Sequence, residues 1–222
     1  EGCIWESSEE SCAFLAFNAM DEVKKIIEDI QKGTPAPIYF LMGEEPYYID
    51  RIAEYISTNV LSEAEKGFNQ MVLYGKDVSV DEIISNAKRY PMMSEYQVII
   101  VREAQHLSRS IENLQPYAEQ PQPSTILVIC YKYKTLDRRK KLIKTLRSSN
   151  AVVFESKKMY ENQVSDWIRR ILLGAGYKIS HKAAALLVEY LGTDLRQFYN
   201  ELEKLKGILP KGSEIDPLVI ET

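Results

Sequence analysis

The sequence predicts an α/β fold: a parallel sheet flanked by helices, followed by a small all-helical domain. Three observations predict it. Apolar runs of strand length recur at residues 38–42, 97–101 and 125–131, with helical patterns between them. Strands that alternate with helices imply a parallel sheet covered on both faces. After Glu155 the pattern changes to helix following helix. The 222 residues, 45% of them hydrophobic and 10% aromatic, are enough for one large domain or two smaller ones with a real core.

Taken in order, residues 21–31 read as a helix with Val23, Ile26, Ile27 and Ile30 on one face, broken by Gly33, Pro35 and Pro37. The strand at 38–42 follows, then an amphipathic helix from Pro46 to about Val60. Residues 68–74 read as a second strand, closed by Gly75. A short helix at 80–88 has Asp81 and Glu82 in its first turn, where carboxylates are favoured, and Tyr90-Pro91 stops it. The strongly apolar strand at 97–101 precedes a helix at 110–119 and a proline-containing turn. The buried strand at 125–131, a basic helix at 136–147 and a last strand at 151–155 complete the sheet domain. Three helices, 163–173, 181–190 and 194–206, then follow with no strand between them, and Trp167, Ile168, Ile171 and Leu172 form their core stripe. They are too short to be stable alone and must pack together or on the sheet domain. The expected boundaries are a leader at 1–19, the sheet domain at 20–157, the helical domain at 158–215 and the start of a linker at 216–222.

The turn after the first strand carries the most information. Strand, glycine turn and helix form the framework of a phosphate-binding loop, which needs G-x-x-x-x-G-K-[ST]. Here the stretch is Gly43-Glu44-Glu45-Pro46-Tyr47-Tyr48-Ile49-Asp50. The second glycine, the lysine and the hydroxyl residue are missing. Free N–H groups and partial positive charge make a helix N-terminus attract anions. Glu44 and Glu45 already put two carboxylates there, and Pro46 has no N–H to offer. This end is expected to repel a triphosphate, so the chain reads as an NTPase scaffold without nucleotide, cofactor or metal.

Net charge of −4 argues against a protein that coats nucleic acid through bulk charge. No apolar run approaches a membrane span. Cys3, Cys12 and Cys130 show no paired metal spacing; Cys130 reads as an inert core thiol, and a reducing, cytoplasmic compartment fits best. His106 and His181, the two histidines, have no cysteine or carboxylate at ligand spacing and read as surface or capping residues. No G-x-S-x-G, H-E-x-x-H or C-x-x-C occurs. Residues 1–19 read as a cloning-derived leader, with Met20 as the natural start; a short native extension is the alternative.

These pieces together resemble the AAA+ architecture, an α/β domain followed by a helical lid. Arg102 stands where the Walker B strand would need an aspartate for Mg²⁺, and Glu103 follows it without a metal to act on. Gly192-Thr193-Asp194-Leu195-Arg196 resembles the lid segment whose arginine senses nucleotide; without a phosphate loop, Arg196 reads as a structural ion-pair partner. Residues 20–222 are similar to the delta-subunit family of bacterial DNA polymerase III clamp loaders. The resemblance rests on Tyr39-Phe40-Leu41-Met42-Gly43-Glu44-Glu45-Pro46, on Pro91-Met92-Met93-Ser94-Glu95 and on Val101-Arg102-Glu103-Ala104. It continues in Leu136-Asp137-Arg138-Arg139-Lys140-Lys141, in the segment ending at Arg196, and in Asn200-Glu201-Leu202-Glu203-Lys204-Leu205.

The resemblance implies a subunit that binds the sliding clamp and helps open its ring during DNA replication without hydrolysing ATP. Any polymerase activity would belong to the holoenzyme. It implies other clamp-loader subunits and, through the assembled complex, primed DNA as partners, no membrane, and a third, collar domain beyond this fragment. Two hydrophobic residues after a short helix enter a clamp pocket in the family; here they match Met92 and Met93, with Pro91 shaping the exit. On the residues alone, both methionines packing inward under the next strand is the simpler reading. Lys134, Arg138, Arg139, Lys140, Lys141 and Lys144 are candidates for DNA or subunit contact, against the plainer reading of a solvated helix face. Two other functions stay open: an AAA+ NTPase with an atypical nucleotide site, and a nucleic-acid-binding protein using the basic helix.

Overall fold

The computed structural model describes residues 21–221. The leader read over 1–19 and the start read at Met20 lie outside the described residues. The chain divides into two compact units: Lys25–Lys158, and Met159 onward together with residues 21–24.

In chain order the elements begin with α1 (Asp21–Gln31), β1 (Ile38–Gly43), α2 (Pro46–Asn59), α3 (Glu63–Asn69) and β2 (Gln70–Tyr74). They continue through α4 (Val80–Ala87), β3 (Gln97–Arg102), two 3₁₀ turns (Ala104–Leu107 and Ile111–Leu114) and α5 (Gln115–Glu119) to β4 (Thr125–Lys132), α6 (Lys141–Ser148) and β5 (Val152–Ser156). The second unit holds α7 (Glu161–Gly174), β6 (Lys178–Ile179), α8 (His181–Leu191), α9 (Leu195–Ile208), β7 (Glu214–Ile215) and α10 (Pro217–Glu221).

The first unit is a five-stranded parallel sheet in the order β2-β3-β4-β1-β5. Strand composition follows position. Every residue of β1 and β4 is buried, and both read as continuous apolar runs because helices cover both faces. Edge strand β2 alternates instead: Met71 and Leu73 join the core, while Val72 and Tyr74 are exposed. One face of the sheet packs through Phe40, Ile99, Val101, Leu127 and Ile129 onto Ile83, Leu114, Tyr117, Leu142 and Leu146. Cys130, fully buried on β4, has its thiol pushed up to about 12 by desolvation, as befits a core side chain.

Local signals account for the helix starts. Ser79 and Glu82 form a reciprocal capping box on α4, with the Glu82 N–H on Ser79 Oγ at 3.2 Å and the Ser79 N–H on Glu82 Oε2 at 2.9 Å. Asp194 Oδ1 accepts the N–H groups of Arg196 and Gln197 at 2.9 and 3.2 Å and starts α9. In the second unit Trp167 and Phe198 meet edge to face, 6.4 Å between centroids, in a core with Ile168, Leu172, Ala184, Leu187 and Leu202.

Four expectations need correction. Phe68 and Asn69 end a helix rather than begin β2; Ser62-x-x-Glu65, with the Ser62 N–H on Glu65 Oε2 at 2.9 Å, starts that helix. The segment at 110–119 is a 3₁₀ turn running into a short helix that starts on the Gln115-Pro116 pair. The basic helix begins at Lys141, not Leu136; residues 137–140 form a turn held by the Asp137 carboxylate on the Arg139 N–H at 2.8 Å. The second unit is not free of strands, since β6 and β7 pair in parallel. Pro217–Glu221 is a further short helix.

Gly43 is the tightest point of the sheet unit. Its φ of +140° is closed to most side chains, and a Cβ there would sit 1.9 Å from the Ser156 carbonyl oxygen. Gly43→Ala is expected to lower unfolding free energy by more than about 2 kcal/mol in urea denaturation. Gly67→Ala, in α3 with open space around it, is expected to raise it by about 0.5–1 kcal/mol.

Candidate functional site

Ligands of open α/β sheets bind beyond the carboxyl ends of the strands, and in this sheet that region carries charged side chains paired within the chain. Only Glu44 and Glu45 separate β1 from α2, too few for a loop of N–H groups around a phosphate. Glu45 is 6% exposed, and its Oε1 accepts the Tyr47 N–H at 3.0 Å. An anion is therefore built into the helix N-terminus, where its charge meets the helix dipole.

A cation is built in beside it. Lys132, the last residue of β4, is 8% exposed. Its Nζ lies 2.7 Å from Asp50 Oδ1 on α2 and 3.2 Å from Glu103 Oε1 after β3. Gln105 completes the cluster, donating from Nε2 to Glu103 Oε2 and accepting the Lys132 N–H at 3.2 Å. Glu103 sits in the left-handed region, φ +53°, which aims its carboxylate back at the sheet end. Burial would raise the Glu103 carboxyl, but the hydrogen bonds from Gln105 and Lys132 outweigh it and hold it below the usual carboxylate range. Burial would likewise lower the Lys132 ammonium, but Asp50 and Glu103 hold it above the ordinary lysine value. Arg102 is exposed at the end of β3, and Arg196 is exposed at the start of α9.

The second feature is the loop between α4 and β3. Met92 is 60% exposed and Met93 99%, so the inward-packed reading of this pair does not hold. Tyr90 is exposed as well, and Pro91 is half-buried. Met93 takes φ +53°, a conformation that side-chain-bearing residues rarely adopt. The loop is tied at its root: Gln97, buried on β3, donates from Nε2 to the Arg89 carbonyl at 2.5 Å and to Thr125 Oγ1 at 2.7 Å, and Thr125 donates to the Ala87 carbonyl at 2.8 Å. Asn69, at the end of α3, holds both main-chain groups of Met92.

Three of the basic candidates are paired with carboxylates of the same chain. Arg138 pairs with Glu155 at 2.7 Å, Arg139 with Asp137 at 2.6 Å, and Lys140 with Glu112. Their own neighbours neutralise these three, whereas Lys134, Lys141 and Lys144 are exposed. Reading the sequence missed Asn69, Asp50 and the inward role of Lys132. A lone lysine closing the apolar run Thr125–Lys132 was the one visible signal.

A family model described as "DNA polymerase III, delta subunit" matches residues 39–157, more than half of the chain. The chain belongs to this family. The DNA polymerase III subunit delta of Bacillus subtilis (strain 168) is 26% identical over 197 residues, which cover 85% of this chain and 56% of that protein. The solved Bacillus subtilis DNA clamp loader delta protein has the same fold, with a TM-score of 0.71 at 24% identity over 90% of this chain and 61% of its own. The chain thus spans somewhat more than half the length of these relatives. The sheet unit thus shares the fold of that clamp loader delta protein. Among the described residues no helix is long and apolar enough to cross a membrane.

Two linked outcomes follow for the lysine cluster. Lys132→Met leaves two carboxylates facing each other and is expected to cost about 3–5 kcal/mol in urea denaturation; adding Asp50→Asn and Glu103→Gln should restore most of it. Glu103 is held low in the fold, so its contribution is complete above the unfolded carboxylate value, about 4.3, and is lost as pH falls through the folded value. Lys132 is held high, so its contribution is complete below about 10.4 and is lost as pH rises through the folded value. The stability gap between the native protein and Lys132→Met should be flat between about pH 5 and 10 and shrink on either side.

Proposed function

We propose that this chain is the clamp-engaging part of a clamp-loader delta subunit, acting in the cytoplasm. It grips a sliding clamp through Met92 and Met93, with Pro91 setting the direction of the loop, and does so without binding or hydrolysing ATP. The observation that carries this reading is the exposure of two adjacent methionines on a loop tied down at its root. An exposed pair of large apolar side chains, held in place, suits insertion into a partner's groove, and methionine adapts to irregular pockets.

The energetics bound the role of the pair. Burying a methionine side chain contributes about 1.5–3 kcal/mol. Two supply roughly 3–6, whereas nanomolar binding needs about 12 kcal/mol before association costs. The methionines therefore anchor, and Tyr90, Lys88 and Arg89, all exposed on the same loop, form the rim. A binder shifts a closed–open equilibrium only by its difference in affinity for the two states. The tip therefore biases the ring open by fitting a clamp surface that the open interface shapes. Other loader subunits would use ATP to control when the tip is uncovered. Lys134, Lys141 and Lys144 are the cations left over for DNA phosphates or a neighbouring subunit.

Support for the ATP-free reading comes from Glu45 at the helix start and Lys132 between Asp50 and Glu103, which put the chain's own anion and cation at the carboxyl end of the sheet. Isothermal titration of the chain with ATP and Mg²⁺ is expected to show no heat of binding up to millimolar nucleotide; saturable binding would overturn this part of the proposal.

Met92→Asp with Met93→Asp is expected to weaken binding of the cognate sliding clamp by at least about a hundredfold in calorimetry. The circular dichroism spectrum and urea midpoint should stay unchanged, because both side chains are in solvent. Unaltered affinity in the folded double variant would remove the site.

A further inference from the structure

The exposed tip is held by a helix that the sequence pattern does not announce. Asn69, the last residue of α3, is 5% exposed although its neighbour Phe68 is exposed. Its side chain spans a sequence separation of 23 to reach Met92. The Met92 N–H donates to Asn69 Oδ1 at 2.6 Å, and Asn69 Nδ2 donates to the Met92 carbonyl at 2.9 Å. The amide orientation is determined by chemistry, because a backbone N–H can only donate and a carbonyl can only accept. One side chain therefore satisfies both main-chain groups of one loop residue, as a neighbouring strand would. The Glu65 carboxyl, one turn earlier on α3, is held below the usual carboxylate range chiefly by Ser62, with Ser94 close enough to contribute. Both residues flanking Met93 thus lie beside the same helix.

Met93 between them is in the left-handed region and almost wholly in solvent. A non-glycine residue stays in that region only where its surroundings over-determine it. Its own side chain makes no buried contact that would do so, which leaves the tie on the adjoining Met92 main chain. A loop ordered before binding loses less conformational freedom on binding, so the same contacts give tighter association.

We propose that Asn69 is a positioning residue for partner binding: it fixes the Met92 main chain so that Met93 is presented already in its bound geometry. This rests on the reading that the Met92–Met93 tip engages the sliding clamp. The role belongs to the amide as a paired donor and acceptor.

The test uses the full chain and its cognate sliding clamp. Asn69→Ala is expected to weaken clamp binding about tenfold in calorimetry. It should also speed amide hydrogen exchange at Met92 by about tenfold or more, while the amides of Ile99 and Ile129 in the central strands keep their protection. Asn69→Asp, which keeps the acceptor but not the donor, should fall between Ala and the native residue and serves as the shape-preserving variant if Asn69→Ala does not fold. The decisive measurement is the double-mutant cycle. In a Met93→Ala background, Asn69→Ala should cost less than about twofold, because the residue it positions is gone. An undiminished cost in that background, or native affinity in Asn69→Ala while Met93→Asp abolishes binding, overturns the positioning role and leaves the tip assignment standing. Native affinity in Met93→Asp overturns the tip assignment and the positioning role with it.

Discussion

A charged amine removed from water must be paired, and meeting that requirement organises the working end of this sheet. Lys132 closes β4 and is satisfied only if Asp50 on α2 and the left-handed Glu103 after β3 come to it. Three separate stretches of chain are thereby drawn to the carboxyl edge of the strands. Gly43 seals the neighbouring gap by letting β1 run against the Ser156 backbone, and Glu45 supplies the negative charge that the start of α2 favours. The crevice where related architectures hold phosphate and metal contains, in this chain, its own anion and its own cation.

The closed crevice and the open tip are complementary parts of one arrangement. With the strand ends locked by charge, the sheet is a rigid base. The loop between α4 and β3 stands on it through Gln97 and Thr125 at its root and through α3 at its middle. A molecule built this way can hold two methionines in solvent at a defined place. Such an exposed apolar pair is unfavourably hydrated.

Much of this was legible in residues. The continuous apolar runs at 38–42 and 125–131 announced central strands because both faces are covered. Glu45 and Pro46 announced the helix start, since capping and a proline in the first turn are local signals. Much of what escaped depended on a distant partner. Phe68 and Asn69 look like the opening of an alternating strand, and only the Ser62–Glu65 box argues for a helix there. Arg138, Arg139 and Lys140 look like one basic helix face until Glu155, Asp137 and Glu112 are found beside them. The pairing of β6 with β7 involves two residues on each side, too few for any period to register.

The sequence by itself determined most strands and helices of the sheet unit, the missing phosphate loop and the family, because periodicity, turn chemistry and motif residues are local properties. Tertiary structure decided which side of the surface each charged or polar side chain serves. Lys132 turns inward to carboxylates on two other elements, Met92 and Met93 turn outward, and Asn69 reaches across to hold them. Those outcomes rest on hydrogen bonds and ion pairs between residues far apart in the chain, and no window of sequence contains both partners.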